Sequence, residues 1–146
     1  MFSYEFQRIM DAAEHLAADL EDDHDELERG NSVDYYNAKK LNSYEQQGDE
    51  AGSLEEGFKE VRMLKSRHFG ESEVNISLSA VHVPTNVFDG APDVMKGIYW
   101  SKRLNRIFID NFDSDPSLSW QFFGSSTGFM RQFPGNCPSR RWWGNG

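Results

Sequence analysis

The sequence predicts an α+β fold, with a long acidic helix at the N-terminus and a partial antiparallel sheet after it. Three observations lead there. Apolar residues recur at helical steps from Ile9 to about Glu28. From Val74 onward they alternate with polar residues instead. Charge divides at the same place: residues 1–73 carry 19 acids and 8 bases, whereas residues 74–146 carry 5 acids and 7 bases. Such asymmetry marks distinct organisational units in a chain whose 146 residues suit one ordinary domain.

The helix comes first. Ile9, Ala13, Leu16, Leu20 and Leu27 fall on one stripe at three-, four- or seven-residue steps. Ala12, Ala17 and Ala18 raise helix propensity, and Gly30-Asn31 supplies a stop. The stripe is narrow, so the helix is expected to pack on a larger body. These residues, 1–30, form a lead-in segment. Its Glu21-Asp22-Asp23-His24-Asp25-Glu26-Leu27-Glu28 run places six acids in eight residues. Carboxylates suit calcium, but no glycine-containing calcium loop follows, so the run reads as a solvated helix face.

Residues 31–73 are polar and mixed. Asp34-Tyr35-Tyr36-Asn37 is an aromatic island, and Tyr44 to Leu54 is loop-like around Gly48 and Gly52. Leu54 to Lys65 is expected as a short helix, with Leu54, Phe58, Val61 and Leu64 or Lys65 on one side.

Residues 74–135 are strand-rich. Val74, Ile76, Leu78 and Ala80 alternate with Asn75, Ser77 and Ser79, the period of one strand, and Pro84 ends it. Asp93 is expected to cap a short helix after a turn-rich connection. Arg106-Ile107-Phe108-Ile109-Asp110 reads as a second strand and Ser119 to Phe123 as a third apolar segment. A turn at Gly124-Ser125-Ser126-Thr127-Gly128 follows, and Phe129 to Phe133 reads as a fourth strand. The tail, 136–146, is rich in Gly, Pro and Trp and has no period.

The composition excludes several functions. The net charge is −9 and no basic stripe exists, so nucleic-acid phosphate would be repelled. No run of about 18 apolar residues is present, so no segment is expected to span a membrane as a helix. One cysteine, Cys137, has no internal disulfide partner. His15 and His24 are too far apart for an i, i+4 zinc pair, and His82 at a strand end reads as half-buried structure. Asp113-Ser114-Asp115-Pro116-Ser117 spaces oxygens like a calcium loop, but it carries Pro116 and lacks the later bidentate Glu, so it reads as a turn or a helix start. No constellation of nucleophile, base and metal is found, so the chain reads as no enzyme.

Asn75-Ile76-Ser77 is an acceptor pattern for N-linked sugar, which has meaning only in a chain outside the cytosol. The N-terminal residues lack the charged and apolar regions of a signal peptide, so either the protein is intracellular or a segment precedes Met1.

An ordered series of segments carries a resemblance. It begins with Ala12-Ala13-Glu14 and Asp34-Tyr35-Tyr36-Asn37-Ala38-Lys39, then Val74-Asn75-Ile76-Ser77 and Val83-Pro84-Thr85-Asn86-Val87. Gly97-Ile98-Tyr99-Trp100-Ser101, Phe108-Ile109-Asp110-Asn111-Phe112 and Asp115-Pro116-Ser117-Leu118-Ser119-Trp120-Gln121 follow. Phe123-Gly124-Ser125 and Thr127-Gly128-Phe129-Met130-Arg131-Gln132-Phe133-Pro134-Gly135 complete it. In this order, over roughly residues 9–135, they resemble the region before the von Willebrand factor A domain in the alpha-2/delta auxiliary subunits of voltage-gated calcium channels.

That resemblance implies a fragment of an extracellular, glycosylated, membrane-associated regulatory subunit. Such subunits bind the pore-forming channel subunit, promote its trafficking by the secretory route to the plasma membrane, and modulate gating. It implies that Asn75 is a true acceptor and that a signal peptide precedes this chain. It also implies that the strands belong to a Cache (PAS-like) sheet, with the long helix leading into it and the remainder of its own chain as a partner. The family's Asp-x-Ser-x-Ser calcium site is not in this sequence, so calcium is expected only in the von Willebrand domain and no cofactor here. The family's amino-acid pocket uses an Arg-x-Trp-Tyr run. Arg140-Arg141-Trp142-Trp143 resembles it, with Arg140 and Trp142 in register and Trp143 in place of Tyr, while the Tyr expected before it is Gly135. An unrelated tail is the other reading of 139–146. The alternative function is a Cache-type sensor of amino acids with a pocket around Trp100, Trp120 and Trp142.

Overall fold

A computed structural model of the chain describes residues 3–19, 35–38, 61–84, 86–88 and 90–136. The first element, α1, spans Tyr4–Asp19. It starts earlier than the stripe predicts because the Ser3 hydroxyl accepts the Phe6 amide and the Ser3 carbonyl accepts the Gln7 amide, which caps the first turn. Ile9 and Ala13 are its buried residues and Ala12 and Leu16 are half-buried, so the stripe faces the core as expected. The expected continuation to Glu28, with its acidic run, lies outside the described residues, as do the 44–54 loop and most of the 54–65 helix. The described end of that last segment is not helical. Leu64–Ser66 is a strand, β1, extended by pairing with its neighbour.

After β1, Arg67–Phe69 makes one 3-10 turn, and Gly70 closes it in the left-handed conformation that favours glycine. The chain then enters β2 (Ser72–Asn75). Here the expectation of one strand over 74–80 is corrected. β2 stops at Asn75, and a new strand, β3, begins at Ala80 and ends at His82 in a different sheet. The break is local chemistry: the Asn75 Oδ1 accepts the Ser77 amide at 2.8 Å, folding the backbone through Ile76. Ile76, placed on the core side by simple alternation, is 51% exposed.

Two helices follow. Helix α2 (Pro92–Ser101) starts with Ala91 as its N-cap and Pro92 at its first position, where a missing N–H costs nothing. Asp93 is therefore not the cap. It lies in the first turn, where its Oδ1 accepts the Val94 amide at 2.9 Å. Helix α3 (Leu104–Ser114) replaces the strand expected at Arg106–Asp110. A five-residue alternation cannot distinguish the two periods. Over the whole element, Leu104, Phe108 and Asn111 are the buried residues, a four- and three-residue spacing that only a helix provides.

The third apolar segment and the fourth strand are found as strands. Gln121–Gly124 is β4 and Met130–Phe133 is β5, joined by the turn read at 124–128, where Ser125 donates its amide to Phe129 and Gly128 has φ +105°. A cis Phe133–Pro134 bond then leads into a short β6 (Gly135–Asn136).

The strands form two antiparallel sheets. The central one has the order β3-β5-β4, with Val81 opposite Arg131, and Arg131 opposite Phe123. The peripheral one has the order β1-β2-β6. Two apolar clusters hold the central sheet to the helices. Ile9 and Ala13 of α1 meet Leu104 and Phe108 of α3 and Phe133 of β5. Val81 and Val83 meet Val94 and Ile98 of α2 and Phe129. The architecture is α+β.

Candidate functional site

Two sites are built from these elements: the sequon corner at the end of β2, and a buried arginine in the central sheet.

At the corner, Asn75 is the last residue of β2 and lies opposite Gly135 of β6. Its side-chain amide is occupied on both sides. Nδ2 donates to the Arg62 carbonyl at 3.0 Å, and Oδ1 accepts the Ser77 amide. The next carbonyls are held too. Asn105 Nδ2 donates to Ser77 O at 3.2 Å, and the Gly135 amide donates to Leu78 O at 2.7 Å. Ile76 and Ser77 are exposed and Asn75 is half-buried. An amide nitrogen carries two protons, so one remains for a substituent while the other holds Arg62.

In the central sheet, Arg131 of β5 is only 3% exposed. Its guanidinium spreads over three acceptors. Nε donates to Ser101 Oγ at 3.0 Å, Nη1 to Ser79 Oγ at 3.0 Å, and Nη2 to the Ile98 carbonyl at 2.9 Å. Ile98 and Ser101 lie in the last turn of α2, where free carbonyls give the helix its negative end, so the cation closes that end. No carboxylate among the described residues pairs with it. Burial therefore pulls its pKa down to about 10. Chemically this is a clamp: one rigid fork ties α2, β5 and the residue that follows the sequon loop.

Arg131 was not anticipated as a special residue, but the signal was present. It shares the alternation of Phe129 and Phe133, so it belongs to the core face of β5. Asn111 was missed in the same way. It is fully buried, accepts Arg8 Nη1 at 2.8 Å, and donates to Glu5 O and Gln121 Oε1. Gln121 in turn donates to Phe108 O, so α1, α3 and β4 share one satisfied polar network.

The other candidates are dispersed. Arg140, Trp142, Trp143, Cys137 and His24 lie outside the described residues. Trp100 meets Phe123 edge-on at 5.4 Å, whereas Trp120 packs on Phe69 at 5.0 Å. His15 bonds its own helix at the Asp11 carbonyl, and the His68 ring contacts the Leu118 carbonyl and Phe112. His82 is half-buried at the end of β3, as expected. Asp115 accepts from the hydroxyl and amide of Ser117, which lowers its pKa, hydroxyl first. Of the Asp113–Ser117 stretch, Asp113 and Ser114 close α3, and the turn is confined to Pro116 and Ser117. Among the described residues no group of His, Cys, Asp or Glu is placed to hold a metal, and no helix is long and apolar enough to cross a membrane.

Comparison with known proteins agrees with the ordered series. A family model described as VWA N-terminal matches residues 13–137. The human voltage-dependent calcium channel subunit alpha-2/delta-3 is 39% identical over 153 aligned positions covering 94% of this chain. Human subunit alpha-2/delta-4 is 41% identical across 88% of it, and the calcium channel protein unc-36 of Caenorhabditis elegans is 29% identical across 52%. The chain spans only 14% of the length of the alpha-2/delta-3 relative and 11% of the alpha-2/delta-4 relative. The chain belongs to the VWA N-terminal family, in the form carried by alpha-2/delta subunits of voltage-dependent calcium channels.

Proposed function

We propose that this chain acts as part of an extracellular auxiliary subunit of a voltage-gated calcium channel, supporting channel trafficking and gating through protein contacts rather than catalysis. The observation that carries this reading is similarity to alpha-2/delta subunits across 94% of the chain. Its partners are then the pore-forming subunit and the remainder of its own chain, in a compartment where Asn75 receives an N-linked sugar. The strands serve as part of a Cache-like sheet that supports a neighbouring von Willebrand domain, and calcium-dependent contact belongs to that domain. This segment itself takes no cofactor.

The test is a chimera in which this chain replaces the matching segment of human alpha-2/delta-3, co-expressed with a pore-forming subunit. The expected result is co-purification and surface current at the level of the unaltered subunit. A chimera that reaches the cell surface yet neither co-purifies nor raises current would overturn the proposal. Titrating the isolated chain with calcium should give no heat. Titrating it with branched-chain amino acids probes the sensor function instead, and a saturable signal there would favour that function over a purely structural one.

A further inference from the structure

Bases are concentrated where α2 meets α3. Residues 94–109 hold Lys96, Lys102, Arg103 and Arg106 and no acid, although the chain carries 24 acids in 146 residues. We propose that the turn between these helices is a docking surface for a sulfated polysaccharide of the cell surface, contacted by Lys102, Arg103 and Arg106. The proposal rests on the extracellular part of the proposed function.

Local structure puts the three charges on one face. Lys102 and Arg103 connect the helices but keep helical backbone angles, φ −56° and ψ −32° for Lys102, φ −67° and ψ −20° for Arg103. Residues three and four apart on such a backbone are neighbours, so Arg106 lies beside both. All three residues are exposed, while Ser101 and Leu104 on either side of the Lys-Arg pair are fully buried. The Arg103 amide donates to the Trp100 carbonyl and the Asn105 amide to the Lys102 carbonyl, each at 3.1 Å, which closes the turn. Ser101 is also tied to Arg131, and Leu104 sits among Ile9, Phe108 and Phe133. The charges therefore stand on an ordered backbone, which reduces the entropy lost on binding.

The charges are not neutralised within the fold. Lys102 and Arg103 have no carboxylate partner among the described residues. Arg106 lies 4.0 Å from Asp110, but Arg8 shares that carboxylate at 3.9 Å, so two cations face one anion. One charge from Lys102, one from Arg103 and the surplus of the Arg8–Asp110–Arg106 group make the corner +3. The net charge of −9 opposes a polyanion at long range. At physiological ionic strength, however, screening acts over about 8 Å, so the charges in contact decide the outcome.

The surrounding surface selects the class of partner. Planar guanidinium forks and an ammonium match anionic oxygens, and short clusters of Lys and Arg are the pattern of heparin-binding patches. An anionic membrane is held by charge together with apolar side chains that enter the interface. None of the exposed large apolar side chains lies between residues 94 and 109, so the corner offers charge without an apolar wedge.

The experiment measures binding of the purified full chain to immobilised heparin, with no channel subunit present. Retention is expected at about 50 mM salt and should weaken toward about 300 mM as screening shortens. The double variant Lys102→Gln, Arg103→Gln should bind at least about tenfold more weakly, and Arg106→Gln about threefold, because its charge is partly shared with Asp110. Lys65→Gln removes an exposed base from β1 in the peripheral sheet and should leave binding unchanged. Circular dichroism checks that each variant is folded. No retention of the folded chain at the lower salt would overturn the proposal, and so would a loss for Lys65→Gln as large as that for the corner pair. Equal binding to fully desulfated heparin or to polyglutamate would overturn the choice of a sulfated partner. Equal capture by vesicles of anionic phospholipid would replace it with a membrane. Since no channel subunit takes part, failure here leaves the auxiliary-subunit reading standing, and failure of the chimera to co-purify leaves this result standing.

Discussion

The two sheets among the described residues each have three antiparallel strands, yet they are held by different forces. The central β3-β5-β4 sheet has one face covered by three helices, and its residues on that face, Val81, Phe133 and Arg131, are buried. The peripheral β1-β2-β6 sheet has one fully buried side chain in each of its elements at most, apart from β6, and its edge residue Leu64 is 60% exposed. The first is stabilised by apolar burial and the second by hydrogen bonds around a turn.

The largest test of this contrast is truncation of the ring shared by α1, α3 and β5. Phe133 is fully buried and stacks on Phe108 at 5.8 Å, so Phe133→Ala should cost about 3–5 kcal/mol in urea denaturation. Leu64→Ala on the peripheral edge should cost less than about 1 kcal/mol. Equal costs would erase the distinction between the sheets.

Arg131→Met comes next, at about 2 kcal/mol near neutral pH. Three charge-assisted bonds are lost, and relief from burying an unpaired charge offsets part of that. Its pH dependence is the sharper reading. Burial holds the folded pKa at about 10, below the unfolded value, so above that pH the unfolded chain binds more protons. The residue's contribution then rises with pH, and wild type should gain on Arg131→Met by up to about 1.4 kcal/mol per pH unit past 10. A constant difference between the two proteins from pH 8 to 11 would show that the guanidinium does not sense burial.

Gly97→Ala should cost about 1–3 kcal/mol, since an added Cβ would sit 2.6 Å from the Phe129 ring and force α2 away from β5. Thermal unfolding would detect this as a shift of several degrees. The smallest effect is Asn75→Asp, expected at about 1 kcal/mol in the unglycosylated chain: Oδ1 can still accept the Ser77 amide, and the bond from Nδ2 to the Arg62 carbonyl is lost. In secreted material the same change should remove a glycosidase-sensitive mass increment. If that increment persists, the sugar is elsewhere.

Much of the central sheet was legible. Gln121–Gly124 and Met130–Phe133 stand out because each is an apolar run bounded by turn residues, and the Gly124–Gly128 turn has few alternatives. The errors fall where a short pattern fits two periods or where a side chain redirects the backbone. Ile107-Phe108-Ile109 is rich in β-branched residues, but Leu104, Phe108 and Asn111 need α1 and Phe133 beside them before the helical face is the one that pays. Leu64-Lys65 became a strand because β2 lies next to it, although its own spacing suits a helix.

The sequence by itself determined the class of the fold, the helical stripe at Ile9 and Ala13, the alternation in β5, the sequon and the family. All of these are periodic or ordered patterns that survive without knowing what lies across the core. Tertiary structure alone decided that the alternating run from Val74 to His82 divides between two sheets. Asn75 bends the chain there, and Gly135 and Asn105, distant in sequence, hold the bend. It also decided that Arg131 is a clamp and not a surface charge, because its acceptors come from β5's neighbour segment and the end of α2, which no local pattern brings together.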